Sequence, residues 1–143
     1  MAGSHPQTPI VVVHEGGLKF SAQIGAHRVL VDQPFRGGGE DAGPSPIELL
    51  GASLGTCVAF YVHQFFRTRS LSSEGLRVEV TQRSTTMPSR IGRFAVRVIL
   101  PPDVPEQFVP LIERVARGCP AHNTLAHGAE VAVEVETTTA VAG

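Results

Sequence analysis

The sequence predicts an α+β fold in the order βββ-α-ββ-αα-β, and three observations carry that reading. Short apolar runs broken by glycine turns open the chain, a long apolar stretch without internal proline fills its middle, and runs alternating apolar with polar residues follow. In IVVVHEGGLKFSAQIGAHRVLVDQP the breaks at Gly16-Gly17 and Gly25-Ala26 predict a three-stranded meander over about residues 10 to 32. The next segment, FRGGGEDAGPSP, is too rich in glycine and proline for regular structure, which places Arg36 on a loop that is either flexible or shaped for a site.

A helix is expected from Pro46 to about Arg69. Ser45 supplies an N-cap, Pro46 suits the first helical position, and Arg67 and Arg69 stand at the negative end of the helix dipole. Its apolar residues, among them Ile47, Leu50, Leu54, Val58, Phe60, Val62, Phe65 and Phe66, cover nearly every face, which predicts burial on all sides. Gly51, Ala52, Ser53, Gly55 and Thr56 predict close approach of a neighbouring backbone or a second subunit. Glu48, His63 and Gln64 interrupt the stretch and argue against a membrane span.

GLRVEVTQRST and IGRFAVRVIL alternate as half-buried strands do, with TTMPSR as the hairpin connection and Arg77, Arg83, Arg93 and Arg97 on a solvated face. Phe108, Leu111, Ile112 and Val115 keep helical spacing, and Pro110 requires that helix either to kink or to begin near it. A short helix opens at Cys119-Pro120 and closes at Gly128, and EVAVEVETT, residues 130 to 138, predicts a final strand.

The 143 residues fit one domain over 1–143, with about residues 1–9 as a flexible N-terminus in which Gly3, Ser4 and His5 also fit an expression-vector remnant. A net charge of −1 with 17% charged residues gives no footprint for nucleic acid or an anionic membrane. The N-terminus lacks a signal pattern, and two cysteines 62 positions apart do not form a disulfide framework. Together these predict a cytoplasmic chain with free or catalytic thiols.

Cys119, before Pro120, is expected beside the free N–H groups of a helix start, where a thiol pKa falls; the alternative is a small apolar cap. Cys57 lies mid-helix among apolar residues that raise a thiol pKa unless a cation approaches, and Arg36 is the nearest candidate. His63 falls about 120° around the helix from Cys57, and neither it nor His122 makes a standard metal-ligand or hydrolase spacing. His122 is expected at the surface or as a neighbour of the thiols. RGGGEDAG lacks the lysine and Ser/Thr of a phosphate loop.

GPSPIELLGASLGTC leading into the long helix, the βββ opening, and CPAHNTL before the last strand resemble the OsmC/Ohr family of organic-hydroperoxide-reducing proteins, over about residues 10 to 137. The resemblance implies an intertwined homodimer with the long helices at its centre and two sites at the subunit interface. It implies that Cys57 attacks the peroxide, Cys119 resolves the sulfenic acid to a disulfide, and Arg36 stabilises the thiolate. No metal or organic cofactor is implied, and regeneration falls to an external dithiol reductant such as a dihydrolipoyl protein, or to a small thiol. An apolar pocket of Leu54, Phe60, Tyr61 and Phe65 is expected to favour lipophilic hydroperoxides over hydrogen peroxide.

One departure bears on the rate. The best-known members carry a glutamate ten residues before the first cysteine, where this chain has Ile47. Glu48 follows it, but nine helical steps of about 100° put Glu48 opposite Cys57, so it is read as a first-turn carboxylate or an arginine's partner. SPIELL looks closer to the less-characterised branches, and the alternative function is a non-catalytic protein that binds a hydrophobic ligand or senses oxidation.

Overall fold

The computed structural model describes residues 8–138; for residues 1–7, the expectation of a flexible N-terminus lies outside the described part. The chain is α+β as expected. Strands β1 (Val11–Gly16), β2 (Lys19–Ile24) and β3 (His27–Val31) form an antiparallel meander. Phe20 of β2 stands opposite His14 on one side and Val31 on the other. Its turns depend on Gly16, Gly17 and Gly25, whose φ angles of 104°, 56° and 58° place all three in the left-handed region.

Helix α1 (Pro46–Thr68) begins at a complete capping box. Ser45 Oγ accepts from the Glu48 N–H at 3.2 Å, and Glu48 Oε1 accepts from the Ser45 N–H at 3.0 Å. Those bonds hold the Glu48 carboxyl below its usual range and fix its role as a cap. A second antiparallel pair, β4 (Arg77–Thr85) and β5 (Arg90–Ile99), lies across α1 in the register Val78–Val98, Val80–Val96 and Gln82–Phe94. Helix α2 (Val109–Arg117) follows a short 3-10 turn, with Pro110 in its first turn, where the missing N–H costs no hydrogen bond. Helix α3 (Pro120–His127) ends at Gly128, φ 77°.

The core is one face of α1. Leu54, Val58, Val62, Phe65 and Phe66 join Ile112 of α2 and Cys119 in a buried cluster. The small-residue stretch has a specific purpose: a Cβ on Gly51 would come within 2.8 Å of the Gln82 side chain, and one on Gly55 within 3.0 Å of Val80. The glycines thus let β4 lie directly on the helix, and Gln82 Nε2 donates to the Ile47 carbonyl at 2.8 Å.

Two expectations are corrected. Within one chain α1 is not buried all round, because β4, β5, α2 and α3 leave part of its surface open and the β1–β3 sheet makes no extended contact with it. Ile47, Leu50 and Phe60 remain 42–54% exposed. Residues 130–138 do not form a strand either: the alternation is present, but a strand requires a paired edge, and the run pairs with neither sheet of the described residues. Val131, Val133 and Val135 are 81–90% exposed.

Among the described residues α1 is the one helix long and apolar enough to cross a membrane, and its buried face is the centre of the core.

Phe66, fully buried, tests this core. Phe66→Ala should lower unfolding free energy by about 3–5 kcal/mol, read as a fall in the denaturant midpoint at unchanged slope.

Candidate active site

The two cysteines meet where α3 packs on α1. Cys57 projects from the middle of α1 and is half-buried; Cys119 is the N-cap of α3 and is fully buried. Both thiols are free, and Cys57 packs against the buried cluster that contains Cys119, near enough to bear on its pKa. Proline makes this local arrangement possible. Pro120 at the first helical position leaves Cys119 extended, φ −71° and ψ 146°, with its sulfur turned over the open helix end.

The His122 N–H donates to Cys119 Sγ at 3.3 Å, so His122 enters the site through its backbone. Its ring approaches Asn123 Oδ1 at 3.4 Å. His63 is bound away from the thiols, its Nδ1 2.6 Å from Ser73 Oγ. Among the described residues no three His, Cys, Asp or Glu side chains converge to hold a metal ion.

The expected low pKa of Cys119 is overturned. Burial pushes the thiol up, and the neighbouring Cys57 sulfur pushes the same way; the N–H groups of His122 and Ala121 pull it down without prevailing. The helix start favours a thiolate, but a sulfur with no exposed surface loses more hydration than those donors return. Cys119 is therefore held as a thiol, and Cys57 is the half-buried member of the pair.

Arg36 stands in a 3-10 turn, Phe35–Gly37, on the loop from β3 to α1, exposed and without an ion pair or side-chain hydrogen bond among the described residues. The structure does not bring its guanidinium into a bond with either cysteine. The loop itself is shaped rather than loose, and its organiser is Asp32, which sequence reasoning missed. Asp32 is 1% exposed, and its carboxylate accepts from the N–H groups of Gln33, Glu40 and Ala42 at 2.7, 3.1 and 3.1 Å.

Desolvation acts on Asp32 most strongly and upward, yet the three backbone donors together leave its carboxyl below the usual range. Gly39 and Gly43 complete the loop, since a Cβ there would strike the Gln33 and Leu30 carbonyls. An aspartate closing a strand before a glycine-rich run was the available signal.

The expected pocket of Leu54, Phe60, Tyr61 and Phe65 does not form within the chain: Leu54 and Phe65 fill the core while Phe60 faces solvent. Instead a cleft of about 460 Å³ opens between β5, α2 and the start of α3, lined by Val58, Phe94, Val98, Ile112, Arg117 and His122.

An α+β chain carrying a free cysteine pair between a long central helix and a short capped one defines a class of dithiol proteins, and the comparisons place it more narrowly. The family described as OsmC-like protein matches residues 37–134, and the chain belongs to that family. No curated protein matches the sequence. Among solved structures, a protein of Psychrobacter arcticus 273-4, named for a proposed role in osmotic-stress induction and detoxification response, superposes with TM-score 0.76 at 21% identity, covering 84% of this chain and 89% of that one.

An OsmC-like protein from Mycoplasma pneumoniae gives 0.70 at 20% identity, covering 82% and 86%. An organic hydroperoxide resistance protein from Legionella pneumophila gives 0.55 at 18%, covering 82% and 89%. The fold is that of these proteins.

Two outcomes are expected. Under native conditions at neutral pH an alkylating reagent should modify Cys57 well before Cys119, whereas both react at once in denaturant, as peptide mass spectrometry will show. Since the folded pKa of Cys119 lies above the unfolded one, its contribution to stability is complete below the unfolded thiol pKa and is lost as pH rises through the folded one. The alkaline fall in Tm should be shallower in Cys119→Ala.

Asp32 has the opposite sign: its contribution is present above the unfolded carboxylate pKa and lost as pH falls through the folded one. Asp32→Asn should expose the Gly37–Gly39 backbone to limited proteolysis at neutral pH, where the wild type resists.

Proposed function

We propose that this protein is a thiol-dependent peroxidase that reduces lipophilic organic hydroperoxides to alcohols, with Cys57 as the attacking thiol and Cys119 as the resolving one. The observation that carries the reading is the asymmetry of the pair: two neighbouring free thiols, one half-buried and the other fully buried. A peroxide arriving from solvent meets Cys57 first.

The Cys57 thiol releases its proton and the thiolate attacks the terminal oxygen of ROOH; the O–O bond breaks, the terminal OH passes to sulfur as a sulfenic acid, and the alkoxide leaves as ROH with the proton that the thiol released. The Cys119 sulfur then attacks the sulfenic sulfur, water departs, and a disulfide joins the two. A dithiol reductant, of the dihydrolipoyl kind, or a small thiol reverses that bond by exchange, taking the disulfide onto itself. The chemistry requires no metal or organic cofactor and suits a reducing, cytoplasmic compartment.

Arg36 is proposed to support the Cys57 thiolate from the loop that Asp32 holds in shape. Ile47 leaves that arginine without the carboxylate found in the best-known members, so turnover slower than theirs is expected. The working unit is proposed to be a homodimer: the exposed Ile47, Leu50 and Phe60 of α1, and Val11, Val12 and Val13 of β1 at 53–60% exposure, are apolar surface that a second copy would cover. Family membership and the fold shared with a hydroperoxide resistance protein support the reading.

Counting free thiols in pre-reduced protein after one equivalent of an organic hydroperoxide tests the proposal. Two thiols per chain should disappear rapidly, faster than with hydrogen peroxide, and only one in Cys119→Ser. Survival of both thiols over minutes would refute it.

A further inference from the structure

The β4–β5 hairpin turns one face to the core and the other away from it. Val80 and Gln82 of β4 press on α1, and Phe94 and Val98 of β5 pack against the core cluster. Side chains alternate along a strand, so Arg77, Glu79 and Arg83 of β4 and Arg93, Ala95 and Arg97 of β5 stand on the outer face. The hairpin carries five of the chain's twelve Lys and Arg residues and one of its thirteen Asp and Glu residues, while the whole chain has a net charge of −1. Positive charge is concentrated here against the balance of the molecule.

These arginines are not equally engaged. Arg90 belongs to the turn, its Nη1 donating to the Thr86 and Pro88 carbonyls at 3.4 and 2.9 Å. Arg77 and Arg97 share one carboxylate, that of Glu79, at 2.8 and 3.5 Å. Arg83 and Arg93 stand directly opposite each other and exposed, and neither has an ion pair or side-chain hydrogen bond among the described residues. Like charges so placed destabilise a strand pair, and a negative group between them removes the repulsion.

The chemistry of the face narrows what that group belongs to. All four of its cations are arginine, whose planar fork holds a carboxylate or a phosphate through two parallel N–H···O bonds. The alternate positions from Arg77 to Arg83 and from Arg93 to Ile99 hold no aromatic ring on which a base could stack. Glu79 stands among them, and its carboxylate repels a backbone charged at every link. An extended peptide is different: its side chains on one face recur about every 7 Å, and it carries charge only where its sequence places it. Carboxylates can then lie over the arginines and neutral residues over Glu79.

We propose that the outer face of β4 and β5 is a docking surface for an acidic segment of another protein, whose Asp or Glu carboxylates bridge Arg83 and Arg93 and reach Arg97. Single exposed ion pairs are weak and screened by salt, so the docking takes several at once and weakens as ionic strength rises. The face lies across the sheet from α1 and Cys57, and the assignment is independent of the peroxidase reading.

Fluorescence anisotropy of the full-length protein with a labelled peptide of alternating glutamate and serine tests it, beside the same peptide with glutamine for glutamate and a length-matched oligothymidylate. The glutamate peptide should bind saturably at low salt and the glutamine peptide should not. Arg83→Gln/Arg93→Gln should bind the glutamate peptide about tenfold more weakly, with no fall in Tm because the like-charge pair is gone. Arg83→Lys/Arg93→Lys, which keeps the charge and loses the fork, should also bind more weakly than the wild type. Arg67→Gln/Arg114→Gln removes the same charge from exposed positions outside the hairpin and should bind as the wild type does.

Failure of the wild type to bind the glutamate peptide overturns the proposal. Equal weakening in Arg67→Gln/Arg114→Gln would mean that binding follows net charge, which overturns the assigned surface. A lysine variant that matches the wild type overturns forked recognition, and a lower Tm in Arg83→Gln/Arg93→Gln contradicts the like-charge pair. Tighter binding of the oligothymidylate, lost in that same variant, would make the partner a nucleic acid and overturn the acidic segment.

Discussion

Gly51 and Gly55 leave α1 bare where the Gln82 and Val80 side chains of β4 press against it, and that close approach governs what the remaining faces of the helix can do. With the hairpin on one flank, Leu54, Val58, Val62, Phe65 and Phe66 are turned toward α2 and α3, and Cys57 is carried to the border of the buried face. Because packed cores do not deform continuously, the meeting of Cys57 with Cys119 follows from how α3 is docked. Pro120 and the sulfur's acceptance of the His122 N–H then orient the second thiol toward the first.

The electrostatics of the pair are decided by competition. A helix start offers donors to Cys119, and the same docking that supplies them removes the sulfur from water; burial wins, and a proton stays on Cys119. The opposite outcome holds at Asp32, where three backbone N–H groups outweigh a desolvation that is individually the largest influence. The difference lies in donor strength and number: charge-assisted bonds to a carboxylate are strong, and a thiol accepts weakly. The different environments of two chemically identical side chains thus arise from position alone.

Punctuation made the local architecture legible. Gly16-Gly17 and Gly25 marked the meander turns, Ser45-Pro46 and Glu48 the start of α1, Pro110 the start of α2, and Cys119-Pro120 with Gly128 both ends of α3. These residues act through their own backbone geometry, which a sequence states directly. Less legible was whatever depends on which surfaces come together.

Ile47, Leu50 and Phe60 look like core residues by type, but nothing within one chain covers them, and residues 130–138 have the period of a strand without a partner. Cys119 was misjudged for the same reason: its donors are local, its burial is tertiary. Arg36 was placed correctly on a loop, while the buried carboxylate that shapes that loop was overlooked.

The account rests on the two sulfurs being able to join within one chain once Cys57 is oxidised. The most direct measurement is peptide mapping of the acid-quenched protein after a single equivalent of organic hydroperoxide, without reductant. A Cys57–Cys119 linkage within the same chain, formed without a lasting oxygen adduct on either residue, is the predicted result. A stable sulfenic or sulfinic acid on Cys57 beside an unreacted Cys119, or a Cys57–Cys57 linkage between chains, would contradict it.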